Sequence, residues 1–468
     1  MLWRPFDYKN LDEVNRDIEE LGVNLPTSED LSVLAEPVEL YGKTAKNRLA
    51  VQPLEASDSF LDGSPTDLTF RRYRRYAAGG FGLIWFESIA VRDNSMTTPH
   101  QLRITEDNKE MYRRLLWEIR DSTKDGVMPY MVAQITHCGR GSRLDGGYYK
   151  KEGGEPAYIM FDDDPYWPKP DGIVLTDDEL DAIIDDYVAT AVRLKEVGFD
   201  CIDIRACHGY LVSETLRSFT RKDSKYGGES FENRTRFLLT IVDRVKEATG
   251  LPITTRLNIC DLVPYPYGWG MKKDGSMEPD FTEPFKLIQL LKDRGVEMIN
   301  CSMGLNHATF IQMPYNVASP WYPKHHQFEA MAFYTNLAAA VKKEFPDMIV
   351  MTGTLSWPKQ FSANIAAGGI KAGMYDFAGF GRQAWCYPSF PNDIFEKGGM
   401  DPKKCCLGCQ KCVDMINAAS PTELPGGCPI HDKEIYLPMY KAKVTDEHRQ
   451  HYAHPELFEL SKTRYTEE

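Results

Sequence analysis

The sequence predicts an α/β chain: a closed (β/α)8 TIM barrel followed by a short cysteine-rich segment. Three features carry that expectation. Short apolar runs of strand character alternate with amphipathic helical patterns. Eight such runs follow one another over roughly 350 residues without an evident reversal. Five cysteines then crowd into residues 405–428. Eight units in unbroken alternation favour a closed barrel over a doubly wound sheet, and no Gly-x-Gly-x-x-Gly follows the first strand to suggest a dinucleotide fold there.

The elements can be justified in order. "RLAVQP", "FGLIWFES" and "PYMVAQITH" supply the first three strands. "TDDELDAIIDDYVATAVRLKEVG" opens with Thr176 and Glu179 in capping-box spacing and places Leu180, Ile183, Ile184, Tyr187, Ala191 and Leu194 on one face. Gly198 ends that helix, and "FDCIDIR" is the fourth strand. The helical pattern "RFLLTIVDRVKEATG" precedes "LPITTRL", and "TEPFKLIQLLKDRG" precedes "VEMINCS". "LAAAVKKEF" leads to "MIVMTG", and "FSANIAAGGIKAG" leads to "MYDFAGFG".

Composition narrows the function classes. Of 468 residues 42% are hydrophobic and 26% charged, as in an ordinary globular protein. A net charge of -13 argues against nucleic acid or an anionic membrane as the main partner. No apolar run approaches a membrane span, and the start "MLWRPFDYKNLDEVNRDIEEL" has no signal-peptide core, so a cytoplasmic location is expected. Cys138, Cys201, Cys207, Cys260, Cys301 and Cys386 stand singly and read as small buried hydrophobes in a reducing compartment. The clustered cysteines read as a metal site rather than a disulfide framework.

In such a barrel the chemistry sits at the C-terminal ends of the strands. The fourth strand runs into "IRACHGYL", where Arg205, His208 and Tyr210 leave the rim together. Arg and His are donors able to polarise a carbonyl or hold a carboxylate, and a phenol can deliver a proton. Gln134 and His137 end the third strand, Arg256 the fifth, and His307 follows the sixth. Gly353 ends the seventh, and Gly381 with Arg382 follows the eighth; glycine amides and an arginine there suit a phosphate.

"GFDCIDIRACHGYLVSETLRSFTRKDSKYGGESFENRTRFL", with "YGG" followed by "ENR", resembles the signature of the Old Yellow Enzyme family of FMN-dependent ene-reductases. "KNRLAVQPLEAS", "GGFGLIWFESIAV", "QITHCGR" and "GFGRQAW" match that family in order, over roughly residues 36–395. The resemblance implies that Pro53, Leu54, Glu55 and Gln134 border the flavin and that Arg256 stands near its N1 and O2. Gly353, Gly381 and Arg382 would take the FMN phosphate. Arg205 and His208 occupy the positions that anchor a substrate carbonyl, Tyr210 matches the proton-donating tyrosine, and His307 matches an active-site histidine of the 2,4-dienoyl-CoA reductase branch.

Two departures stand out. Arg205 replaces the usual histidine or its neutral substitutes, and an always-charged forked donor suits a carboxylate, so an acidic group on the substrate is expected. Glu55 stands where many members place Thr or Cys beside the flavin; its carboxylate either lowers the flavin potential or turns to solvent.

The cysteine segment reads Cys406-x2-Cys409-x2-Cys412-x15-Cys428. Four thiolates at this spacing suit a 4Fe-4S cubane or a structural zinc. Resemblance to the iron–sulfur branch, which includes 2,4-dienoyl-CoA reductase and trimethylamine dehydrogenase, implies the cluster, with Cys405 as the spare thiol. The expected organisation is an N-terminal extension (1–35), an FMN-binding barrel (36–395), a cluster segment (396–435) and a tail (436–468). The 40 residues after Cys428 show no FAD- or NAD(P)H-binding motif. A separate electron donor is therefore expected, such as a ferredoxin, a flavoprotein or an NADH-oxidising subunit, with direct NAD(P)H reduction as the alternative. The long aromatic stretch 141–174 is expected to lie over the site as a lid or substrate wall.

Together these imply an FMN- and 4Fe-4S-dependent ene-reductase acting on a small unsaturated carbonyl or carboxylate compound. The alternatives are an amine dehydrogenase or demethylase, and an FMN/iron–sulfur electron-transfer subunit. The oligomeric state, a homo-oligomer included, is not fixed by the sequence.

Overall fold

The computed structural model describes residues 6–142, 157–169, 171–305, 326–417 and 424–444. Eight parallel strands close into a barrel: β1 (Leu49–Val51), β2 (Leu83–Ala90), β3 (Tyr130–Thr136), β4 (Cys201–Ile204), β5 (Ile253–Cys260), β6 (Met298–Met303), β7 (Ile349–Thr352) and β8 (Phe377–Phe380). Each pairs in parallel with its sequence neighbour, and β8 returns to β1 through Ala378↔Leu49 and Phe380↔Val51. All eight expected strand runs are barrel strands, so the fold is the (β/α)8 barrel.

A main helix follows each strand: α1 (Asp67–Ala78), α2 (Lys109–Asp121), α3 (Asp177–Val197), α4 (Phe231–Thr249), α5 (Thr282–Asp293), α6 (Gln327–Glu344), α7 (Ser362–Lys371) and α8 (Phe390–Lys397). Helix α3 begins as its sequence demands. The Thr176 hydroxyl accepts from Glu179 N, the Glu179 carboxylate accepts from Thr176 N, and Gly198 closes the helix at φ 110°. Strands β2, β3 and β5 are buried along their whole length, which is why they read as continuous apolar runs.

The two ends of the barrel differ. At the N-terminal end a hairpin pairs Val38–Leu40 with Lys43–Ala45. Its Leu40 and Ala45 pack with Leu83, Trp85, Tyr130 and Met298 at or near the strand starts, and Tyr41 Oη donates to Ile253 O at 2.8 Å. That end is plugged, which leaves the C-terminal rim for chemistry. Over the rim, Tyr158–Ile159 pairs with Ile173–Val174 ahead of α3. The cysteine segment returns to α1: Arg71 and Arg75 both donate to Asp432, at 2.6 Å each.

Candidate functional site at the barrel mouth

The rim is built around the exit of β4. After Ile204 the chain stays stitched to β5, with Ala206 N donating to Arg256 O at 2.9 Å and Asn258 N to Ala206 O at 3.0 Å. His208 (φ 64°) and Gly209 (φ 77°) then take left-handed backbone, a conformation that costs a histidine free energy and is held by its surroundings. Glycine is required at 209, because a Cβ there would lie 2.9 Å from Trp167 Cζ3. Tyr210 caps the short helix Leu211–Leu216. This turn brings Arg205, His208 and Tyr210 together at one place, each buried.

Arg205 lies flat on Tyr210, its Cζ 3.8 Å from the ring centroid. One end of the guanidinium, Nη1, donates to Ser88 Oγ at 3.1 Å and stands 3.6 Å from Glu55 Oε2. Its Nε has no hydrogen-bond partner among the described residues. Burial opposes its charge, but Tyr210, Cys207 and Glu55 outweigh that and keep its pKa above the ordinary arginine value. Glu55 is not turned to solvent. Its carboxylate accepts from the hydroxyls of Ser88 and Thr97 and from Gln101 Nε2 at 3.5 Å, besides facing Arg205.

His208 is a neutral imidazole, because burial, then Arg256 and Arg205, push its pKa well below the ordinary value. Its Nε2 lies 2.8 Å from Ser302 Oγ, which also accepts from Tyr334 Oη at 3.2 Å. His137, at the end of β3, is a structural residue. Burial holds its pKa down at about 3, and its Nδ1 accepts from Gly139 N at 3.0 Å.

The residues expected to meet the flavin occupy neighbouring strand ends. Gln134 Nε2 donates to Asp203 Oδ2 at 2.6 Å, which Trp85 Nε1 also approaches to 2.7 Å. Burial raises the Asp203 pKa to about 6. Asp203 Oδ1 in turn accepts from Arg256 N at 2.7 Å. Arg256 is buried with its Nε partnerless among the described residues, and Thr352 Oγ1 at the end of β7 is likewise partnerless. Pro53 is buried and Leu54 half-buried just past β1, with Leu54 Cδ2 3.7 Å from where a Cβ of Gly381 would stand. At Gly353 a Cβ would come within 2.9 Å of the flexible end of Gln52, its Nε2. One arginine Nε and one threonine hydroxyl, buried and without partners among the described residues, with glycines at two strand ends, form a donor set that fits the ring and phosphate of FMN. Arg382 Nη1 donates to Gln410 Oε1 at 3.1 Å, and the residue borders the cysteine segment. His307 lies outside the described residues.

Cys406, Cys409, Cys412 and Cys428 line one cavity, with Arg382 and Gln410 at its wall. As the side chains stand, no three His, Cys, Asp or Glu residues among the described ones converge closely enough to grip an ion. Four sulfurs around one cavity, backed by an arginine, nevertheless fit a four-thiolate centre in their chemistry. Cys405 is fully buried, donates to Asp401 O at 3.3 Å and does not line that cavity. The sequence presents Cys386 as an isolated buried thiol. Its Sγ donates to Gln383 O at 3.3 Å and stands beside Cys406 and Cys428, a contact that draws the pKa of Cys406 down to about 6. Sequence reasoning missed Cys386, Ser88, Thr97 and Trp167 at these sites; for Cys386 the one signal was its place in "GRQAWC", directly after the phosphate motif.

The sequence profile of the NADH:flavin oxidoreductase / NADH oxidase family matches residues 33–348. An NADPH dehydrogenase of Bacillus subtilis (strain 168) is 30% identical over 286 residues, covering 60% of this chain and 76% of the relative. Among solved structures, a 2-naphthoyl-CoA reductase in complex with 2-naphthoyl-CoA superposes with a TM-score of 0.67 at 19% identity; the match covers 86% of this chain and 57% of that one. An old yellow enzyme homologue from Zymomonas mobilis superposes with a TM-score of 0.59 at 20% identity, covering 79% and 94%. At these identities the structural likenesses are likenesses of fold.

Proposed function

The chain belongs to the NADH:flavin oxidoreductase / NADH oxidase family, the Old Yellow Enzyme family, and from that premise we propose that it is an FMN-dependent ene-reductase for an α,β-unsaturated carbonyl or carboxylate compound. The observation that carries the reading is the convergence of Arg205, His208 and Tyr210 on one strained turn at the barrel mouth, beside the partnerless Nε of Arg256. When bound, FMN supplies the hydride for the β-carbon of the alkene. Gln134, Arg256, Gly353 and Gly381, with Pro53, Leu54 and Glu55, are the residues proposed to hold it, and Arg382 stands between the phosphate position and the cysteines.

The protein's own groups do the rest. The Arg205 Nε and the neutral His208 imidazole hold the activating oxygen of the substrate, where negative charge collects in the transition state. Loss of one such preorganised donor costs about 100-fold or more in rate. Tyr210 Oη gives its proton to the α-carbon. Trp167, at the edge of Tyr210 and over Gly209, closes the site from the lid side and excludes water. Cys406, Cys409, Cys412 and Cys428 are proposed to hold a 4Fe-4S cluster that supplies single electrons from a separate donor protein.

The test is stopped-flow mixing of the purified anaerobic protein with each substrate class. Enoates are expected to reoxidise the reduced protein, and methylamines to leave the oxidised protein unchanged. Reduction by a methylamine, with no response to enoates, replaces this reading with an amine dehydrogenase.

A further inference from the structure

We propose that Arg205, besides holding the substrate oxygen through its Nε, acts on Tyr210: its guanidinium, laid over the phenol ring and balanced by Glu55, sets how readily the Tyr210 hydroxyl gives up its proton. The proposal rests on the reading of Tyr210 as the proton donor and adds what tunes that donor.

The geometry comes first. Arg205 Cζ is 3.8 Å from the Tyr210 ring centroid, and both residues are 7% exposed. A cation held over the face of a desolvated phenol favours the phenolate, since little water remains to screen the two charges. Stacking as close occurs once more in the described residues, Arg234 over Phe219 at 3.8 Å, but that ring carries no hydroxyl to tune. At Tyr210 the same contact has a chemical consequence.

Glu55 has the opposite sign. It stands 3.6 Å from Arg205 Nη1 and is pinned by the hydroxyls of Ser88 and Thr97 and by Gln101. It cannot swing away without breaking those bonds, so it holds the guanidinium in place and offsets part of its field at the phenol. The other titratable neighbours are neutral. Burial holds His208 low and pushes Cys138 and Cys207 up. Arg256 is a further fixed charge on this side, and among the described residues of the segment 157–169 the Trp167 ring packs here, a Cβ at Gly141 meeting both it and Tyr210.

The proton step then balances as follows. The Tyr210 O–H bond breaks, the proton goes to the substrate α-carbon, and the electron pair stays on the phenol oxygen as a phenolate under the guanidinium. Solvent later returns the proton. A lower phenol pKa makes the first transfer easier and the return slower, so the Arg205–Glu55 balance sets the compromise.

The test reads the phenol directly, without turnover. Holoenzyme labelled with [ζ-13C]tyrosine is titrated by NMR, and the Tyr210 signal is assigned by its loss in Tyr210→Phe. In the unaltered protein the Tyr210 titration is the reference, set by burial, which makes a phenol less acidic, against the guanidinium, which makes it more so. Arg205→Gln is expected to make the phenol at least about tenfold less acidic, and Glu55→Gln to make it more acidic. Arg205→Lys, which keeps the charge but not the flat stack, is expected to fall between and covers the case in which Arg205→Gln fails to fold. Unmoved Tyr210 titration across these variants, or shifts of one sign for both Arg205→Gln and Glu55→Gln, overturns the proposal. Because no substrate enters, the outcome is independent of whether the protein reduces alkenes.

Discussion

Arg205 was expected to favour an acidic substrate because an arginine there is a permanent cation. The structure supplies a counter-charge: Glu55 faces it at 3.6 Å, so the pair presents little net charge to an incoming carboxylate. Glu55→Gln removes that balance. Its ratio of kcat/KM for an enoate over the matching methyl ester is expected to rise about tenfold, equivalent to 1.4 kcal/mol. Steady-state kinetics on the pair of substrates measures it, and an unchanged ratio shows that Glu55 does not shield Arg205. Arg205 and Glu55 each stand out as site candidates in "RACHGYL" and "QPLEAS", but their pairing does not. Nothing in one sequence shows that segments so far apart meet across the barrel mouth, or that Ser88, Thr97 and Gln101 turn a carboxylate inward.

At the scale of elements, the site depends on a turn that the backbone resists. Gly209 sits at φ 77° with Trp167 against it, whereas Gly250 at the end of α4 sits at φ 64° with open space around it. Alanine at either position costs about 1–2 kcal/mol for the left-handed backbone. Only at 209 does it also push a Trp ring, so Gly209→Ala is expected to lower stability more than Gly250→Ala in urea unfolding; equal losses contradict the packing of Trp167 on this turn. The irregular segment that carries Trp167 is anchored by buried charges. Arg140 Nε donates to Glu214 Oε1 at 2.9 Å, Arg140 Nη1 to Trp167 O at 2.9 Å, and Arg217 Nη2 to Asp164 Oδ2 at 2.5 Å. The strands and helices themselves were readable because buried parallel strands are unbroken apolar runs and their helices carry visible caps. The long aromatic stretch 141–174 stands out as a candidate lid, but its anchoring does not, since an irregular segment leaves no periodic pattern and its contacts come from charges elsewhere in the chain.

For the molecule as a whole, the barrel and the cysteine segment form one unit. Asp432 binds Arg71 and Arg75 of α1, Arg382 reaches from the end of β8 to Gln410, and Cys386 reaches the thiols of Cys406 and Cys428. Arg382 thus joins the end of the eighth strand to the cavity lined by the four cysteines. The most direct measurement is anaerobic purification followed by a visible spectrum with flavin and iron analysis, on the unaltered protein and on Cys406→Ser and Cys405→Ser. The expected result is a coloured protein with equimolar FMN and about four irons per chain, the iron lost in Cys406→Ser and kept in Cys405→Ser. A colourless protein that binds zinc and no flavin would contradict it.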